Sequence, residues 1–94
     1  MPLLHAQQLN DAARDLPHWT VRTEALERKF EFADFVAAMH FVNAVAALAE
    51  QQGHHPDIDI RYNKVSIRTW SHDSGGVTER DLRLAQAVDS LAAE

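Results

Sequence analysis

The chain has 94 residues, 46% of them apolar, and a formal charge of −5, which together describe one ordinary globular domain spanning residues 1–94. The acidic balance excludes a nucleic-acid surface, which needs clustered Lys and Arg. Cysteine is absent, so disulfides, thiolate metal centres and cysteine nucleophiles are excluded as well, and a cytoplasmic setting is expected.

The N-terminal residues through Gln8 lack both the basic region and the sustained apolar run of a signal peptide. Leu9, Ala12, Ala13 and Leu16 then recur at helical spacing ahead of Pro17, which predicts a short helix ending near Leu16. Extended chain is predicted from Trp19 to Val21 and from Leu26 to Phe32. In the second run Glu27, Lys29 and Glu31 alternate with Leu26, Arg28, Phe30 and Phe32, so one face is wet and the other mostly dry. Asp34 can cap a helix whose stripe is Phe35, Ala38, Met39, Val42, Val45, Ala46 and Ala49, closing at Gly53. This tract, broken by His40 and Asn43, falls short of the roughly 20 residues that span a bilayer, so no membrane association is expected.

After His54-His55-Pro56, Ile58, Ile60 and Tyr62 alternate with Asp59 and Arg61, and Asn63-Lys64 can turn the chain into Val65, Ile67 and Thr69. A Gly75-Gly76 loop follows. Thr78 and Asp81 have the spacing of a capping box for a last helix with Leu82, Ala85 and Val88 on one side. The order α-β-β-α-β-β-α predicts an α+β fold, a four-stranded antiparallel sheet with three helices packed on one face. A domain of this size buries only about 60 to 65% of its unfolded surface, so oligomerisation that covers more apolar area is a natural addition.

Half of the six histidines fall in one stretch, His54, His55 and His72. Pairing of the second hairpin brings its two ends together, and with them Glu50, His54, His55, Asp57 and His72. Imidazoles outside any apolar pattern point to acid–base work or to a Zn or non-haem Fe site, and the residues alone leave both open beside a plain polar surface. Against a metal, the chain has no His-x-x-x-His pair on a helix face. His5, His18 and His40 read as end, turn and helix-flank residues. No nucleophile elbow surrounds Ser66, Ser71 or Ser74, and the glycine pair lacks the spacing of a phosphate loop.

Glu50, three residues, His54-His55-Pro56, five residues, Tyr62, nine residues, His72, eight residues and Asp81 resemble the signature of the pterin-4a-carbinolamine dehydratases, also known as dimerisation cofactors of a homeodomain transcription factor. Phe30 to Phe35, the Ala-rich helix, Tyr62 to Val65 and Gly75 to Thr78 extend the resemblance over most of the chain. Ser71 and Gly53 depart from it, standing where threonine and an acidic residue are common.

The resemblance implies dehydration of a 4a-hydroxytetrahydropterin to quinonoid dihydropterin, the recycling step after an aromatic amino acid hydroxylase, without metal or organic cofactor. It implies His54, His55 and His72 as the acid–base set, with Glu50, Pro56, Trp70, Ser71 and Asp73 as pterin contacts, partly through backbone atoms. Asp81 reads first as a helix cap and second as a support for the site. The competing classes are a protein-interaction module of the transcription-factor cofactor type and a metal-dependent hydrolase.

Overall fold

The structure is a computed structural model that describes residues 2–93. The chain runs α1 (Ala6–Asp15), β1 (Thr20–Val21), β2 (Leu26–Glu31), α2 (Phe35–Gln52), β3 (Asp57–Arg61), β4 (Lys64–Thr69) and α3 (Glu79–Ala92), the expected order. All strand pairs are antiparallel, in the order β1-β2-β4-β3, so the two hairpins join through β2 and β4. Along β4 the side chains of Val65, Ile67 and Thr69 are buried, while Lys64 is exposed and Ser66 and Arg68 are half-buried. On β2, Leu26 and Phe30 face inward with them. The helices cover this face with Ala38, Phe41, Val42 and Val45 from α2 and Leu84, Ala85 and Val88 from α3, each fully buried large apolar side chain contributing about 1.5–3 kcal/mol. Among the described residues no helix is long and apolar enough to cross a membrane.

Local chemistry explains where each element starts and stops. Asp34 accepts a hydrogen bond from the Ala37 backbone N–H at 2.8 Å and so caps α2. Gly53 closes the helix in a left-handed conformation, φ +64°, which turns the chain toward the histidine pair. His5, expected as a simple end residue, instead caps α1: its side chain accepts from the Gln8 backbone N–H while the Gln8 side chain accepts from the His5 N–H.

The second hairpin turns one residue earlier than expected. Arg61 pairs with Lys64, so the turn is Tyr62-Asn63 and Tyr62 holds the left-handed φ of +54°. The reason lies across the sheet. Asn63 is tied to the end of β2 by its side-chain amide to the Phe32 carbonyl and by its own carbonyl to the Phe32 N–H, both at 2.8 Å. That clamp offsets the roughly 1–2 kcal/mol cost of left-handed backbone at a residue other than glycine.

Arg28, the one charged residue on the dry side of β2, is accounted for by α3. Asp89 Oδ1 accepts from Arg28 Nη1 and from the Trp19 indole N–H, each at 2.7 Å. Arg28 also lies over the Phe30 ring. Asp89→Ala strands two part-buried donors, so it should cost about 1–3 kcal/mol in calorimetry while leaving any activity of the distant histidines unchanged.

The loop after β4 is pinned at its base. Ser71 and Gly76 bridge one another, with Ser71 N–H to the Gly76 carbonyl at 2.9 Å, and Val77 N–H reaches the Thr23 carbonyl at 3.0 Å. A Cβ on Gly76 would lie 2.6 Å from that same Thr23 oxygen. Gly76→Ala therefore forces backbone apart, and its melting temperature should fall by an amount matching about 1–3 kcal/mol.

Candidate active site

Three stretches of chain deliver the histidines to one place. The Gly53 turn is held by the His54 N–H, which bonds the Ala49 carbonyl at 3.1 Å, and His55-Pro56 then leads into β3. The pairing of Asp57 with Arg68 sets that strand's start beside the end of β4, from which Trp70 and His72 continue. His54, His55, Trp70, His72, Asp73 and Arg80 line a cleft of about 250 Å³. A larger hollow of about 810 Å³ lies on the open face of the sheet and contains none of the histidines. There Glu27 and Asp57 flank Arg68, and Glu31 stands opposite Lys64, so it reads as a solvated face with cross-strand charge pairs.

Behind the cleft lies a buried carboxylate. Asp81 has no exposed surface, and four donors converge on it. Oδ1 meets His54 Nε2 and the Thr69 hydroxyl, both at 2.6 Å; Oδ2 meets the Ser71 hydroxyl at 2.8 Å and the Thr78 N–H at 2.9 Å. With the aspartate ionised, all four contacts are donated to it, and His54 gives its Nε2–H, which leaves Nδ1 as the nitrogen that can meet a substrate. The N-terminus of α3 adds its dipole, because Asp81 sits in the helix's first turn and completes the capping box with Thr78. Of the two sequence readings of Asp81 the cap is present, and the same carboxyl group lies against His54.

The other imidazoles are held differently. His55 Nε2 lies 2.5 Å from Glu50 Oε2, with both side chains mostly in solvent, so the contact orients the ring more than it stabilises the fold. His72 packs on the Trp70 indole with ring centroids 4.0 Å apart. Asp73 is ion-paired with Arg80, and that guanidinium holds its carboxyl below the usual aspartate range. Asp73 thus stays ionised between about pH 5 and 8 and is not the source of a pH response there.

Among the anticipated residues, Trp70 and Asp73 line the cleft, Glu50 stands behind His55, and Pro56 is half-buried at the head of β3. The Ser71 side chain is buried and turned to Asp81 and Thr78, and its backbone is bonded within the loop, the N–H to the Gly76 carbonyl and the carbonyl to the Ser74 and Gly75 N–H groups. Thr69, Thr78 as a backbone donor and Arg80 were not singled out for the site. Arg80 Nε is buried and without a hydrogen-bond partner among the described residues. Only one signal pointed to any of them: a hydroxyl at position 69 in an inward row otherwise filled by Val65 and Ile67. Among the described residues no group of three or more His, Asp or Glu side chains converges as a metal site.

An α+β domain that sets three imidazoles around one cleft, one of them backed by a buried carboxylate, holds the groups that proton transfer requires. The family model described as Pterin 4 alpha carbinolamine dehydratase matches residues 2–91. The chain is similar to proteins carrying that designation in Acidobacterium capsulatum, 50% identical over 97% of this chain and 99% of the relative, and in Chloroflexus aurantiacus, 45% identical over 97% and 98%. Among solved structures it is similar to a transcriptional coactivator/pterin dehydratase from Brucella melitensis, with TM-score 0.89 and 35% identity over 95% of this chain and 97% of that one. It is also similar to a pterin dehydratase-like protein described as a RuBisCO assembly factor in the alpha-carboxysome, with TM-score 0.67 and 27% identity over 81% and 88%. The chain belongs to the pterin-4a-carbinolamine dehydratase family.

Proposed function

We propose that this chain dehydrates a 4a-hydroxytetrahydropterin to the quinonoid dihydropterin, with the histidine cleft as its active site. The observation that carries the reading is the convergence of His54, His55 and His72 on one cleft with Asp81 behind His54. The reaction breaks the C4a–O bond. One imidazolium delivers a proton so that the hydroxyl leaves as water, the ring nitrogen's electron pair moves into the new C=N bond, and a ring N–H proton passes to a neutral imidazole. Each positioned transfer contributes typically 10² to 10⁴-fold.

His54 handles one of these protons at Nδ1, steadied as imidazolium by the Asp81 carboxylate. His55 and His72, both open to solvent, handle the other and return it to water. Glu50 orients His55, and Trp70 offers an aromatic edge to a flat pterin beside His72. A complex with a non-reacting dihydropterin tests the placement. The pteridine ring should sit with C4a within reach of at least one of the three imidazoles, and a pterin bound elsewhere overturns the assignment.

A second reading, a protein-binding role in a dimer or tetramer, is favoured by the exposed apolar side chains of Phe35 and Val36 on α2 and by the coactivator and assembly-factor descriptions of the two structural relatives. Light scattering would give the oligomeric state. A monomer without a stoichiometric partner sinks this second reading and leaves the first intact.

A further inference from the structure

We propose that Thr69, which belongs to no part of the histidine pattern, is a positioning residue that acts through Asp81 to set how tightly His54 holds its proton. The inference rests on the active-site reading above but concerns a residue that cannot touch a substrate, because Thr69 is fully buried in the sheet.

Thr69 ends the inward row of β4 after Val65 and Ile67, and the register places it opposite Leu26 of β2. Valine has the same shape and suits a buried strand better than threonine, so packing gives no reason for a hydroxyl here. The hydroxyl donates to Asp81 Oδ1 at 2.6 Å, the same oxygen that receives His54 Nε2 at 2.6 Å. Two donors therefore share one oxygen. Each draws on the same negative charge, and the Thr69 hydrogen bond weakens the pull of Asp81 on the His54 proton. Oδ2 is occupied separately by Ser71 and Thr78, so the carboxylate stays in place when the Thr69 hydroxyl is removed. The other ionisable groups around the pair are Glu50 and His55 beside the end of α2, His72 and Asp73 in the loop after β4, and Arg80 on α3. None changes in the variants below.

The test compares Thr69→Val with Thr69→Ser, which keeps the donor, by following the His54 ring nitrogens through a pH titration in nuclear magnetic resonance without substrate. In Thr69→Val the His54 transition should move upward by about half to one pH unit, a roughly 3- to 10-fold change in the protonated-to-neutral ratio at a fixed pH, and Thr69→Ser should return it toward the parent. The matching limb of the kcat profile should move with it at unchanged KM. A role confined to packing would lower the melting temperature of both variants and leave the transition where it was. An unmoved transition in Thr69→Val, or a serine variant that behaves like the valine one, overturns the proposal. Should the valine variant not fold, Thr69→Ser against Thr69→Ala asks the same question. Because the titration needs no turnover, it stands even if the parent protein fails to dehydrate a pterin.

Discussion

Asp81→Asn should lower the melting temperature more than any other single change at the site. The carboxylate receives four donors in a fully buried place, and the amide offers one acceptor and one NH₂ group in its stead. Either the Thr78 N–H and Ser71 hydroxyl or the His54 and Thr69 pair then faces a donor. Two buried donors left without an acceptor cost about 1–3 kcal/mol each. In a domain of this length each kcal/mol is worth about 4–8 °C, so calorimetry should record a fall of at least about 8 °C. Where the NH₂ group faces Thr78 the capping box of α3 is lost as well, and dehydration should fall with the substitution. A melting temperature within about 4 °C of the parent would show that the four hydrogen bonds do not hold this end of the molecule together.

His54→Gln should do the opposite, sparing the fold and removing the chemistry. Glutamine can still present an N–H toward Asp81, so the buried carboxylate keeps a donor and the melting temperature should stay within a few degrees. It cannot exchange a proton near neutral pH, however, and the dehydration rate should drop by about 10² to 10⁴-fold. Rapid-mixing kinetics on the freshly formed carbinolamine would read this directly. Retention of more than about a tenth of the parent rate would move the proton transfer to His55 and His72. The contrast between the two variants separates a residue that builds the site from one that works in it.

The strands, the main helix, its Asp34 and Gly53 ends and the Thr78 capping box were legible because each depends on residues within a few positions of one another. The histidine cluster was legible for a related reason, since one hairpin joins its two halves. The hidden features are long-range. Arg28 stood out as a charge on a dry face, but its partner Asp89 lies 61 residues further on. The hairpin turn shifted to Tyr62-Asn63 because Asn63 bonds Phe32, 31 positions away, which turn propensity does not encode. Thr69 looks like any β-branched strand residue until α3 brings Asp81 against it, and Ser71 looked like a cleft residue until its hydroxyl was found pointing inward. His5 was misread for a different reason. Histidine is an uncommon cap, and the Gln8 reciprocity that secures it is visible only in three dimensions.

The histidine cleft is proposed above all to accelerate loss of the 4a-hydroxyl. Stopped-flow absorbance of a 4a-hydroxytetrahydropterin, generated in place by an aromatic amino acid hydroxylase, measures it most directly. With the parent protein the carbinolamine should decay far faster than in buffer, with quinonoid dihydropterin appearing at the same rate. Decay no faster than in buffer, with the protein folded and at micromolar concentration, would contradict it.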